Sequence, residues 1–402
     1  MDCMFVGKHV VAALCVLLGS TGVTAAGVPF VPERIWSKVI CREEGRYIGW
    51  PTVCRRANGE LVAVFSGDRD KHVCPWGKVQ MVRSKDDGET WSAPETIVNS
   101  IPDDRDAGIV ETKDGTLVLK WFTSTAWMDK EWTDRLVRRK EFDLLNCYRR
   151  HYEKLPKDLL KAELGSFTST SSDGGRTWTP RVRTLGSAPH GGIQLKDGRL
   201  MLIGRHWNGK TVELTVETSV DGAKSWQLLS TIGVPAGENI AKFCEPFLTE
   251  CATGDLLAVF RHTVVPNEIR AARSTDGGRT WTKAEKTGVF GLPPHVLTLK
   301  NGIVVMTYAK RVGDFGEYAV LSFDHGRTWD VAHEYCLAPC LNYDLGYPST
   351  VELPNGELLT VYYQPDRRVS EKVVDKPCLQ ATKWRLVAPE VSPARANALL
   401  RQ

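Results

Sequence analysis

Short apolar runs separated by polar turns dominate this chain. Six of the runs follow a two-residue turn that ends in glycine. Asn58-Gly59 stands before LVAVF, Asp114-Gly115 before LVLKW, Asp197-Gly198 before LMLIG, Thr253-Gly254 before LLAVF, Asn301-Gly302 before VVMTY and Asn355-Gly356 before LLTVY. Glycine supplies the left-handed backbone that joins two extended segments, so each copy predicts a hairpin. The turn glycines are 48 to 56 residues apart except for one interval of 83. That spacing suits one four-stranded sheet per repeat.

A second repeat has the form S-x-D-x-G-x-T-W. It occurs as Ser84–Trp91, Ser171–Trp178, Ser274–Trp281 and Ser322–Trp329, with a degenerate copy, SVDGAKSW, at Ser219–Trp226. The Asp accepts backbone N–H bonds, the Gly turns the chain, and the Trp offers a large ring to bury. A residue repeated in every sheet is structural, so these aspartates report the fold and not the chemistry. Together the two repeats predict an all-β, six-bladed β-propeller. The long interval carries a charged, helix-forming stretch broken by Pro156, which predicts a helical insertion in blade 2 at about 124–166. Its basic cluster of Arg135, Arg138, Arg139 and Lys140 reads as a solvated helix face. The N-terminal segment near Arg34 to Arg42 is expected to complete blade 6 and so remove an exposed sheet edge.

In such a blade the start of the first strand and the end of the second lie on one face, and the first hairpin lies on the other. The residues seven to nine positions before each turn glycine are Trp50, Asp106, His190, Glu245, His295 and Tyr347, one per blade. Second strands deliver Arg69 with Asp70, His206, Arg261 with His262, and Lys310 with Arg311 to the same face. Buried charge is costly unless paired or used, so this ring is the candidate site.

At the amino terminus Lys8 precedes an apolar run from Val10 to Val23 and then Thr24, Ala25 and Ala26. This is the pattern of a cleaved signal peptide over 1–26, leaving a propeller over 27–402 that is secreted or periplasmic. The run is shorter than the roughly 20 residues that span a bilayer, so no membrane span is expected. With 52 Lys and Arg against 48 Asp and Glu, both signs interspersed, the net charge of +4 gives no footprint for nucleic acid or an anionic membrane. Nine of the 11 cysteines follow the leader, without a CxxC pair or zinc-like spacing, so no metal or other cofactor is expected. Disulfide pairing and oligomeric state stay open.

The boxes, with the strand pattern from Ile48 to Gln364, resemble the sialidase (neuraminidase) superfamily over nearly the whole mature chain. That resemblance implies a Tyr nucleophile activated by a Glu, an Asp acid/base, and three arginines that clamp a substrate carboxylate. Tyr347 in GYPSTVELPNG matches the nucleophile, and Glu245 and Arg261 match the Glu and the arginine after it. Arg69 and Asp70 fall where the family has an arginine and then its acid/base; Asp106 is the alternative acid. His190, in PHGGIQL, resembles a blade 3 motif of the family. Two positions depart. The family's Arg-Ile-Pro is Gly49-Trp50-Pro51 here, which offers an aromatic stacking surface instead of a cation, and the third arginine is replaced by Asp314-Phe315-Gly316. Arg311 or Lys310 from the neighbouring strand, or Arg46 or Arg105, stands in for a missing cation. The resemblance implies a retaining exo-glycosidase acting on sialic acid or a related terminal sugar of a glycan, with Trp50, Arg69, Asp106, His190, Arg261, His295 and Arg311 binding substrate. The competing readings are another exo-glycosidase or a lyase using His190 or His295 for proton transfer, and a non-catalytic glycan-binding propeller.

Overall fold

The computed structural model describes residues 30–371 and 373–388; the expected signal peptide lies outside them. Within the compact body Pro32–Leu386, six four-stranded antiparallel sheets follow one another in chain order. Each blade begins with its innermost strand: Tyr47–Arg55, Asp103–Glu111, Gly192–Gln194, Phe243–Glu250, His295–Thr298 and Gly346–Glu352 for blades 1 to 6. The predicted second strands, Leu61–Arg69 through Leu358–Gln364, pair against them across the Asx-Gly turns. Blade 6 is closed from both ends of the chain, its third strand being Cys378–Val387 and its outermost Val31–Cys41. The expected closure is therefore present, and the ring has no open seam.

Neighbouring blades bury apolar layers between them, as second strands such as LVAVF and LLTVY present side chains on both faces of the sheet. Between blades 6 and 1 this layer holds Tyr47, Trp50, Phe65, Val361, Tyr363 and Leu379. Between blades 3 and 4 it holds Met201, Ile203, Val216, Phe243 and Phe260. The Ser-x-Asp boxes close the outer hairpins with one repeated set of bonds. In the first, Ser84 Oγ donates to Asp86 Oδ1 at 2.8 Å and accepts from Gly88 N at 2.9 Å, while Thr90 N donates to Asp86 Oδ1 at 2.9 Å. The turn needs a left-handed residue at the fifth position, so the degenerate copy holds Ala223 at φ 65°.

Blade 2 carries the insertion between strands Leu117–Ser124 and Ser166–Ser171. It contains helices α1 (Lys130–Arg138), α2 (Phe142–Lys154) and α3 (Lys157–Glu163). Trp132, Leu136, Leu145 and Tyr148 form a small core with Trp127 and with Val73 of the blade 1 loop. Tyr148 Oη donates to Val73 O at 3.3 Å, and Lys71 pairs with Glu141 at 2.8 Å. The insertion is thereby fixed to the loop after Arg69, beside the axial end where the innermost strands begin. No described helix is long and apolar enough to cross a membrane.

Candidate functional site

Four innermost strands break register at one equivalent place. Gly49 pairs with Ser66 and Thr52 with Val64; Arg105 with Phe122 and Gly108 with Lys120; Cys244 with Arg261 and Phe247 with Val259; Gly346 with Tyr363 and Ser349 with Val361. The bulged residue in each is Trp50, Asp106, Glu245 or Tyr347, with φ of 56°, 48°, 48° and 55°. Left-handed backbone at a non-glycine residue costs about 1–3 kcal/mol, and such strain gathers where a side chain must be aimed. Here it aims four side chains at one axis.

Tyr347 Oη donates to Glu245 Oε1 at 2.6 Å. Arg261 Nη1 donates to Glu245 Oε1 at 2.7 Å and to Oε2 at 2.9 Å. Burial, the largest influence, would raise Glu245, but Arg261, the Tyr347 hydrogen bond and Arg311 together outweigh it and hold the carboxylate below its usual range. Tyr347 is pushed well above its ordinary value by burial and by the charges of Glu245 and Asp106, so it remains a phenol with its proton on the Glu245 bond. Asp106 moves the other way from Glu245. Burial lifts it to about 6, Glu245 adds to the rise, and Arg105 opposes it. Its Oδ1 takes no hydrogen bond. A carboxylate beside a buried phenol, and a second carboxyl raised toward neutrality, are group types that general-base and general-acid chemistry employs.

Three of the expected site residues are engaged with other partners. Asp70 is spent on Arg46 Nη1 at 2.6 Å, and Asp106 is the aspartate whose charge reaches Glu245 and Tyr347. The loop after Arg69 turns Asp70 to the rim. Arg69 does not reach for substrate either: with no exposed surface, it forms a two-pronged pair with Asp103, Nη1 to Oδ1 at 2.5 Å and Nη2 to Oδ2 at 2.6 Å. Trp50, 1 % exposed, is no open stacking platform. It stacks on Tyr47 at 5.4 Å and lies under the guanidinium groups of Arg69 and Arg105 at 5.2 and 4.9 Å.

Arg311 does stand at the pair, its guanidinium 5.7 Å from the Tyr347 ring centre. Its Nη2 donates to Leu345 O at 2.6 Å and to Tyr363 Oη at 3.2 Å. His190 and His295 lie one layer deeper. His295 pairs with Thr307 and stacks on Phe247 at 4.4 Å; His190 meets His295 edge-on at 5.2 Å and Thr52 Oγ1 through Nδ1 at 3.3 Å. They stand with Thr52, Phe247, Val296 and Thr350 along an axial cavity of about 320 Å³. Burial pushes His190 down to about 3 and His295 well below its usual value, so both imidazoles are neutral and weakly basic. Among the described residues no cluster of three or more His, Cys, Asp or Glu side chains is set to hold a metal.

The residues that were missed are Tyr47, His72, Asp103, Asp344 and Tyr363. Tyr363 was within reach, since it occupies in blade 6 the register position that Arg261 has in blade 4.

The BNR repeat-like domain family model matches residues 109–362. No curated protein matches. Among solved structures, a protein of unknown function from Dyadobacter fermentans DSM 18053 is similar at 23% identity and TM-score 0.70, over 89% of this chain and 99% of that one. The NanB sialidase of Streptococcus pneumoniae is similar at 17% identity and TM-score 0.58, over 90% and 71%. The intramolecular trans-sialidase of Ruminococcus gnavus is similar at 14% identity and TM-score 0.56, over 84% and 94%. Six blades, five boxes and these likenesses agree, and the chain belongs to the BNR repeat-like family with the propeller fold of the sialidase superfamily.

Proposed function

We propose that the protein is a retaining exo-glycosidase that removes sialic acid or a related terminal sugar from a glycan, with Tyr347 as nucleophile. The observation that carries this is the 2.6 Å bond from Tyr347 Oη to Glu245, with Arg261 on the same carboxylate. In the first step Tyr347 Oη bonds to the anomeric carbon as its proton passes to Glu245, and Asp106, protonated, gives its proton to the departing glycosidic oxygen. In the second, Asp106 takes a proton from water as the water attacks. The Tyr–carbon bond breaks, and Glu245 returns the proton to Tyr347. Two displacements at one carbon retain configuration.

A phenol suits an anomeric carbon that bears a carboxylate, because a carboxylate nucleophile would be repelled there. Arg261 and Arg311 are the cations beside the pair; Arg69, bound to Asp103, is not available. The leader motif at 1–26 supports action outside the cytosol. The test is a panel of 4-methylumbelliferyl glycosides, including the sialoside, with the anomer of the first product followed by NMR. Turnover with retention that Tyr347→Phe abolishes supports the reading. Inversion, or full activity in Tyr347→Phe, overturns it.

A further inference from the structure

The loop that carries Asp70 outward carries His72 inward. Its ring meets Trp50 edge-on at 4.8 Å and Tyr47 edge-on at 6.0 Å. Nδ1 lies 3.2 Å from Tyr47 Oη, and Tyr47 Oη donates its single proton to Asp344 Oδ1 at 2.7 Å. While Asp344 is ionised and takes the Tyr47 proton, that hydroxyl can only accept, which places the imidazole proton on Nδ1. Nε2 is left with a lone pair. Among the described residues Nε2 has no partner, yet it is absent from the sealed, unpartnered atoms, and the residue is only half-buried. Its lone pair is therefore accessible to an outside donor.

Protonation of that atom is opposed from every side. Burial is the largest influence, followed by the charges of Arg105, Arg311 and Arg69 and of Arg135 from α1, and it leaves His72 well below its ordinary value. Asp344, which itself lies above the usual carboxylate range through burial, is an acid one hydroxyl removed from it. The same network runs on to the nucleophile's neighbourhood, since Arg311 donates to Tyr363, whose ring lies 6.0 Å from that of Tyr347.

We propose that His72 is a specificity residue of the site: an imidazole fixed as an Nδ1–H tautomer by Tyr47 and Asp344, whose free Nε2 accepts a hydrogen bond from a hydroxyl of the bound sugar. That the ligand is a sugar rests on the glycosidase reading above. A substrate carboxylate in the same place would face the lone pair, so the subsite takes a neutral donor, and any carboxylate of the sugar is directed to Arg261 and Arg311. A site that hydrogen-bonds a hydroxyl rejects the analogue lacking it far more strongly than an apolar pocket rejects a missing methylene.

Two measurements test this. In imidazole ¹⁵N correlation spectra of the full chain, His72 should show protonated Nδ1 and bare Nε2, unchanged from about pH 8 to about pH 5, although a free imidazole titrates near 6.5. Tyr47→Phe should release the ring into mixed tautomers. A wild-type Nε2–H tautomer, or titration in that range, overturns the proposal. In the second, on whichever 4-methylumbelliferyl glycoside the wild type cleaves, His72→Phe keeps a ring and removes the acceptor; it should lower kcat/KM by about 10- to 100-fold, chiefly through KM. His72→Gln, which has an acceptor, should recover most of that loss. Equal losses in the two variants, or none in either, overturn the proposal. If the wild type cleaves none of the panel, the glycosidase reading fails by itself, and the spectra still decide the state of His72.

Discussion

The two ends of each blade treat the same amino acid in opposite ways. At the box end, Asp86, Asp221 and Asp324 accept hydroxyl and backbone N–H bonds and lie below the usual carboxylate range, Asp86 at about 2 because of Thr90. At the other end Asp106 is buried without a partner on Oδ1 and rises to about 6. The box aspartate is satisfied within its own turn and recurs in five turns. Asp106 occurs once, on a strained bulge, and its surroundings come from other blades. Repetition with satisfied bonds marks structure, and singularity with an open bond marks chemistry.

That contrast can be broken most severely at the centre. Glu245→Gln and Tyr347→Phe should each lower kcat by at least about a hundredfold with folding intact, since one removes the base and the other only a hydroxyl. Circular dichroism alongside turnover checks both points. Asp106→Asn should cost about 10²- to 10⁴-fold, the range of a general acid. The wild-type rate should decline as pH rises through about 6, where the Asp106 proton is lost, and the variant should lack that limb. A pH–rate profile of kcat/KM on both proteins decides it.

At the other end the effect should be on stability alone. Asp324→Ala removes bonds from Ser322 Oγ at 2.8 Å and Thr328 N at 2.8 Å and should cost about 1–2 kcal/mol in urea unfolding with kcat unchanged. Burial pushes Asp324 up, and the bonds from Thr328 Oγ1, Thr328 N and Ser322 Oγ more than offset it, so its folded pKa is depressed. Its contribution should be present above the unfolded carboxylate value and fade as pH falls below about 4. The smallest effect is expected at Asp70. Asp70→Asn weakens a half-exposed pair with Arg46 and should change kcat/KM by less than about twofold, an exposed ion pair contributing roughly 0–1 kcal/mol. A large loss there would return the acid role to Asp70.

The same division explains what could be read from the sequence. Turns and boxes are local, so six blades, the insertion and the closing strand were legible from spacing alone. The axial positions of Trp50, Asp106, Glu245 and Tyr347 were legible too, because each lies nine residues before a turn glycine. Side-chain states were not, because their partners come from distant segments. Nothing near Arg69 in sequence announces Asp103, and nothing near His72 announces Asp344. Trp50 looked like a platform until Tyr47 and two guanidinium groups covered it. Asp70 and His72 are two residues apart on a loop whose direction is set by Val73 packing on Trp127, Trp132 and Tyr148.

Blade 6 joins the strand at Val31–Cys41 to strands that begin some three hundred residues later, and it is the blade that presents Tyr347. A ribosome releasing this chain has therefore made five blades before the sixth has its outer strand's partner, and loop closure over so long a span is slow. Glu245 is synthesised about a hundred residues ahead of the phenol it contacts, so the pair does not exist in any nascent fragment that ends before Tyr347. Reactivity arrives with the last strand. A proteolytic nick that frees the first strand would strip blade 6 of its edge and loosen the blade that holds Tyr347 without touching any residue near Glu245.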